Sequence, residues 1–224
     1  MMLSMPLPAI EIPTSARAAL AAQSVQPTLE AMRDQAQVRP GAPLLVRIFK
    51  SEEELEIWAD AGTRYVLLRT SPICTYSGAL GPKIRQGDGQ APEGFYAVSA
   101  QLLNPSSRFH LSFNLGYPNA FDRAHERTGD FLMVHGNCVS IGCYAMGDVA
   151  IEEIYTLLAQ ALAAGQAQVP VHAFPFRFRD GWREAHADNE WLDFWSQLEA
   201  GYQAFEKTHR PPKISVKDGR YVAR

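Results

Sequence analysis

The densest chemistry in this chain lies in MVHGNCVSIGCYAMGDV, residues 133–149. That stretch holds His135, Cys138 and Cys143 among glycine, serine and asparagine. A free thiol titrates near about 8.5, so only a few per cent is thiolate at neutral pH, and an adjacent imidazole that takes the proton makes it a strong nucleophile. His135, delivered by an apolar run and followed by Gly136, and Cys143, presented by the turn Ser140-Ile141-Gly142, read as base and nucleophile of such a pair. Gly142 leaves the backbone free to aim the N–H groups of Gly142 and Cys143 at a tetrahedral intermediate, where one donor is worth about 3 kcal/mol. The competing readings are structural: a cysteine is often a small buried hydrophobe, and a histidine at a strand end is often only hydrogen-bonded. A zinc site from His135, Cys138 and Cys143 is disfavoured, because the C-x4-C spacing is loose and no fourth ligand is evident.

Elements on either side must position this segment. Before it, LLVRIFK (44–50), ELEIWAD (54–60) and RYVLLRTS (64–71) read as three strands of an antiparallel meander, with a hairpin between the second and third. FYAVSAQLL (95–103), FHLSFNL (109–115), FLMVHG (131–136) and VPVHAFPF (169–176) read as further strands. A helix follows the cysteine turn, with Asp148 as its N-cap, Glu152 and Glu153 in its first turn, an apolar stripe of Ile151, Ile154, Tyr155, Leu158 and Leu162, and Gly165 at its end. A second helix is expected from about Trp182 to Lys207, its aromatic stripe serving as core. Residues 1–43 read as an extension that holds helical turns only between Ser15 and Gln37. Residues 207–224 carry six Lys or Arg against Asp218 and read as a solvated tail covering part of the domain, contact with an anionic surface being the alternative.

Composition narrows the function classes. The chain has 224 residues, 46% of them hydrophobic and 20% charged, enough for one domain with a real core. A net charge of -3 argues against a nucleic-acid partner. No apolar run approaches the length of a membrane span. Three cysteines without a CxxC pair exclude a disulfide scaffold and disfavour a zinc ribbon, and at least one thiol is expected free. The first twelve residues do not have the pattern of a secretory signal. The glycine-rich segment GPKIRQGDGQAPEG lacks the order of a phosphate loop and does not run into a helix, so nucleotide binding is disfavoured.

The pattern HGxxxSxGC, preceded by a strand and by the upstream GDGQAPEGFYAV (87–98), resembles the catalytic domain of the L,D-transpeptidases, the YkuD-type domain. The run GYPNAFDRAHERTGDFLMVHGNCVSIGCYAMGD (116–148) is similar to the YafK-like branch of that family. The resemblance spans about residues 44–180. It implies a mainly β fold with flanking helices (α+β), a β-sandwich carrying a catalytic cysteine at one end. On this reading residues 1–43 are an N-terminal extension, 44–180 the catalytic domain, and 181–224 a helix and basic tail packed on it. It further implies an enzyme of the periplasm or cell envelope that acts on peptidoglycan stem peptides. Cys143 would be the nucleophile that forms a thioester at diaminopimelate-linked amides, His135 the base, and Ser140, Gly142 and Gly136 the turn residues. No cofactor is implied.

Two positions depart from the family's usual pattern. The histidine before the turn glycine is Ile141, and the arginine two residues after the cysteine is Ala145. Loss of that polar group and carboxylate clamp points to amide hydrolysis, with release of a peptidoglycan-linked lipoprotein, over cross-link formation. A cross-linking transpeptidase and a non-catalytic peptidoglycan-binding module are the alternatives. Tyr117, Asn119, Arg123 and His125 precede the catalytic strand, and Tyr117 and Arg123 are candidates for a lid that binds the substrate carboxylate. Cys138 reads as a buried structural thiol, with a Cys138–Cys143 disulfide as the alternative.

Overall fold

All six residues of Leu44–Phe49 (β1) are buried, as the central strand of a sheet covered on both faces must be. The computed structural model, which describes residues 11–224, places β1 in the middle of a five-stranded sheet. Glu54–Asp60 (β2) and Tyr65–Pro72 (β3) complete the expected meander on one side. On the other side Val169–Phe174 (β10) runs parallel to β1, and Gly94–Val98 (β5) pairs antiparallel with β10, giving the order β3-β2-β1-β10-β5.

The second five-stranded sheet carries the segment of interest. It is built from Thr75–Tyr76 (β4), Leu103–Asn104 (β6), Ser112–Asn114 (β7), Met133–His135 (β8) and Tyr144–Ala145 (β9), in the order β4-β9-β8-β7-β6. The single strand expected over 95–103 is therefore two strands in different sheets. A 3-10 turn at Ala100–Leu102 carries the chain from one sheet to the other.

Helix Ala16–Ala36 (α1) is capped by Ser15, whose Oγ accepts from Ala18 N at 3.1 Å. Ala18, Ala21, Val25 and Leu29 form its buried stripe, and Pro27, on the exposed side, does not break it. The 21 residues make a full helix where only turns were expected. Packing supplies the reason: the stripe joins the core shared by both sheets and by helix Asp148–Ala163 (α3). In α3 the expected stripe is buried, and Gly165 follows the C-terminus at φ +104. Asp148 is not its cap. Gly147 holds that position, and Asp148 Oδ1 instead accepts from Asn137 N at 2.7 Å, tying the helix start to the turn after His135.

The C-terminal region differs most from expectation. The long second helix is two: Trp182–Ala185 (α4) and Leu192–Thr208 (α5), separated where Asn189 Oδ1 accepts from Trp191 N. The basic tail is a hairpin of Ile214–Lys217 (β11) and Arg220–Ala223 (β12). Tyr221 anchors it, stacked on Phe121 of the short helix Ala120–Ala124 (α2) at 4.2 Å and edge-on to Phe95. Together with Phe174, Phe194, Trp195 and Tyr202 these rings form a second, aromatic core on the α5 side of the first sheet.

Candidate functional site

Strands β8 and β9 run parallel, with Val134 opposite Tyr144 and His135 opposite Ala145. Extending that register back by one residue sets Cys143 beside Met133, and Met133 N–H lies 3.4 Å from the Cys143 sulfur. Side chains alternate faces along a strand, so His135 and Cys143 share one face of the sheet on neighbouring strands. With strands about 4.8 Å apart and a rise of about 3.3 Å per residue, the Cα atoms of such diagonal neighbours lie roughly 8 Å apart. Structure thus brings together the two residues that the sequence nominates. His135 is buried, its ring 4.8 Å from that of Phe109, and Cys143 is half-buried.

The histidine's tautomer follows from its neighbour. Nδ1 lies 2.5 Å from the Gly136 carbonyl oxygen, which can only accept, so Nδ1 carries the proton and the Nε2 lone pair is free. Gly136 itself is hemmed in: a Cβ there would meet Asp148 Oδ1, His110 Cβ and the Phe109 carbonyl, all within 2.9 Å. Only glycine lets the His135 strand pass so close to those groups.

The cysteine turn is closed by one hydroxyl. Ser140 Oγ donates to the Cys143 carbonyl at 2.7 Å, accepts from Cys143 N at 3.0 Å, and accepts from Ser77 Oγ at 2.9 Å. Gly142 sits at φ +98, a conformation that side chains disfavour. Of the two N–H groups nominated for an oxyanion, that of Cys143 is already engaged by Ser140. The Gly142 N–H has no hydrogen-bond partner among the described residues.

Electrostatics run against a resting ion pair. Burial lifts the Cys143 thiol above its ordinary range, with the Met133 N–H and the Lys83 ammonium opposing. Burial pulls the His135 imidazole below its usual range, with the Gly136 hydrogen bond opposing. Both shifts favour a neutral thiol beside a neutral imidazole, where the sequence suggested a preformed imidazolium–thiolate. Iodoacetamide labelling of Cys143 is therefore expected to rise in the alkaline range, above the ordinary thiol midpoint. A labelling plateau already reached below about pH 7 would instead reveal a standing ion pair.

Cys138 is neither a buried thiol nor Cys143's partner: it is exposed and disulfide-bonded to Cys74, with Cα atoms 5.4 Å apart. The reason is topological. Just before β4 the chain runs beside β9, where Cys74 N donates to Ala145 O at 2.8 Å, and this brings Cys74 to the loop between His135 and Cys143. Cys143 is the one free cysteine. The bridge closes a loop across 64 positions, and losing it through Cys74→Ser with Cys138→Ser is expected to cost about 2–4 kcal/mol. A melting temperature that does not move on reduction would contradict this.

Other nominated residues fall elsewhere. Tyr117 is buried, and its hydroxyl donates within reach of the Lys83 and Thr128 carbonyls at 3.3 and 3.4 Å, so it supports the 83–90 loop and is not part of an open lid. Asn119 caps α2 and binds the Phe95 carbonyl and the Tyr221 hydroxyl. His125 closes α2, its ring stacked on Phe121. Arg123 donates to the Pro118 carbonyl and lines a cavity of about 490 Å³ under the β11–β12 hairpin, whose lining includes no residue of the cysteine segment. Ala145, where the family's usual pattern has arginine, is fully buried, and Ile141 is 92% exposed. Phe131 and Val139 are exposed as well, so the segment that carries the thiol presents three apolar side chains to solvent.

The sequence reading overlooked the groups that hold the neighbouring loop. Asp88 accepts from the N–H groups of Ile84, Arg85 and Gln90 and from Lys83 Nζ at 2.6 Å. That carboxylate uses the donors a phosphate would need. Lys50 and Glu93, both fully buried, pair at 3.0 Å beneath the same loop. A lysine closing an otherwise buried strand was the available signal for the second pair.

No protein-family model matches the chain. It is 49% identical over 182 residues to the protein named "Putative L,D-transpeptidase YafK" of Escherichia coli K12, covering 81% of this chain and 74% of that one, and equally to its counterpart in Escherichia coli O157:H7. Among solved structures, a point variant of the helical cell shape determining protein Pgp2 from Campylobacter jejuni aligns with a TM-score of 0.50 at 17% identity, over 79% of this chain and 72% of that one. The structural likeness supports the fold: mixed sheets with flanking helices. On the extent and identity of the sequence match, this chain belongs to the L,D-transpeptidase family, in its YafK-like branch.

Proposed function

We propose that the chain is a peptidoglycan-acting cysteine enzyme that cleaves diaminopimelate-linked amides through a thioester, with hydrolysis favoured over transfer. The observation that carries this reading is the placement of a free thiol and a tautomer-fixed imidazole on one face of adjoining strands. In the first step His135 Nε2 takes the Cys143 proton as the sulfur attacks the amide carbonyl. The Gly142 N–H is the free donor for the developing oxyanion. The C–N bond then breaks, the imidazolium gives its proton to the leaving amine, and a thioester remains. Water deprotonated by His135 attacks that thioester, the C–S bond breaks, and the thiol is restored.

Hydrolysis is favoured because no cation stands at position 145 and the exposed neighbour of the thiol is Ile141. An acceptor strand held by its carboxylate has no clamp there, whereas water needs none. A protein partner, a lipoprotein joined to peptidoglycan, suits the exposed Phe131, Val139 and Ile141 side chains of this segment better than a purely polar acceptor does. The periplasm or cell envelope is the matching location. No helix among the described residues is long and apolar enough to cross a membrane.

Incubating the pure protein with muropeptides, with and without a free amine donor, tests the reading. Released carboxylate should dominate in both cases. Amine incorporated as the major product would make the chain a transferase, and no turnover of any amide would leave a binding module.

A further inference from the structure

The first sheet has a second hollow that the cysteine chemistry does not use. It lies where β5 and β10 meet α2 and the β11–β12 hairpin, and has a volume of about 490 Å³. That is within the range of roughly 300–1,000 Å³ common for small-ligand sites. Its apolar walls come from Phe95, Pro170, Pro212, Ile214 and Val216. Among its polar groups Asn119, Tyr96 and Tyr221 are already hydrogen-bonded to the fold, whereas three others are uncommitted. Gln168 and Ser215 are exposed at the rim, and neither side chain hydrogen-bonds a described residue. His172 is 2% exposed, and its Nδ1 has no hydrogen-bond partner. Burial and the neighbouring Arg47 push that imidazole down to about 3, so it is neutral at any physiological pH.

Charge decides what would bind. Arg123 is the one charged side chain among the lining residues, it forms no ion pair among the described residues, and no Asp or Glu lines the cavity. The hairpin that forms one wall carries Lys213, Lys217, Arg220 and Arg224 against Asp218, and of these Arg220 pairs with Asp193. Such a field draws anions toward the opening. An unpaired guanidinium beside apolar and amide-bonding surface is the chemistry of carboxylate recognition.

From this we infer that the cavity is a second binding site, for a short peptide with a free carboxylate, which Arg123 engages. It rests on the reading above only in the choice of peptide, since a stem peptide of peptidoglycan has this chemistry. The site would let the protein hold one strand of its polymeric substrate while the thiol works on another. It also gives the basic C-terminal hairpin a task.

The test uses the stem tetrapeptide and its fully carboxamidated form, titrated into full-length Cys143→Ala protein so that nothing is turned over. The readouts are the NMR signals of the His172 ring and the Gln168 side-chain amide. The free-acid peptide should shift both saturably, the amidated peptide should not, and Arg123→Gln should weaken binding at least about ten-fold. Arg123 is exposed, so this variant should keep the fold. Unmoved His172 and Gln168 signals, equal binding of the amidated peptide, or an unaltered affinity in Arg123→Gln would each overturn the proposal. Shifts confined to residues 131–145 would remove this second site while leaving the thiol reading intact. Binding here without any Cys143-dependent cleavage in the wild type would do the reverse.

Discussion

Replacing Cys143 with alanine is expected to lower amide cleavage by about a thousand-fold or more, with the fold preserved. The side chain is half-buried and its polar contacts are the Met133 N–H at 3.4 Å and the Phe131 carbonyl at 3.8 Å, both weak sulfur contacts, so removing it disturbs little packing. Every bond-making step in the proposed mechanism runs through that sulfur. His135→Ala should cost a comparable factor, and the two losses should not multiply, since base and nucleophile act as one unit. The pH profile adds an independent check. His135 must be neutral to accept the thiol proton, and burial lowers its tendency to protonate. As pH falls, the base therefore survives further than an ordinary histidine would. The acid limb of kcat/KM should lie below the usual histidine midpoint of about 6.5. Full turnover by the alanine variant would end the cysteine mechanism, and an acid limb at or above the ordinary midpoint would end the assignment of His135 as a buried neutral base.

Lys50→Met carries the largest expected effect on stability. Lys50 Nζ donates to the Ala79, Gly81 and Ala91 carbonyls and to Glu93 Oε1, at 2.7 to 3.1 Å. Glu93 in turn accepts from Gly81 N at 2.7 Å and from Trp195 Nε1 at 2.8 Å. The pair therefore ties β1, the 79–93 loop and α5 together, and desolvation already lowers the Lys50 pKa. Methionine of similar length leaves Glu93 buried without its counter-charge and leaves the Ala91 carbonyl without its donor, while the Ala79 and Gly81 carbonyls keep only the Gln90 amide. Breaking one side of such a pair costs about 3–5 kcal/mol. Adding Glu93→Gln should recover part of that loss, because no lone charge then remains inside. Urea titration reads both, as a shift in midpoint at constant slope. A Lys50→Met midpoint within experimental error of wild type would show that the pair is not what holds the loop. The loop bears on the site because the Gln90 carbonyl stands 3.7 Å from where a Gly142 side chain would begin.

Sequence by itself determined the parts whose signals are local. The thiol, the imidazole and the turn glycine lie within nine residues, which marked them as close, while the register of β8 and β9 is what sets His135 and Cys143 on one face. The meander β1–β2–β3 and the stripe of α3 were legible because alternation and helical period are written in neighbouring residues. Tertiary structure decided whatever depends on where the chain returns. Cys138 met Cys74 across 64 positions, Lys50 met Glu93 beneath a distant loop, and Arg123 turned to a cavity walled by the C-terminal hairpin. It also decided protonation, since burial raised the thiol and lowered the imidazole where adjacency alone had suggested an ion pair. The physical reason is common to all of these. Partner choice and desolvation depend on what packs around a group, and no short stretch of sequence contains its own surroundings.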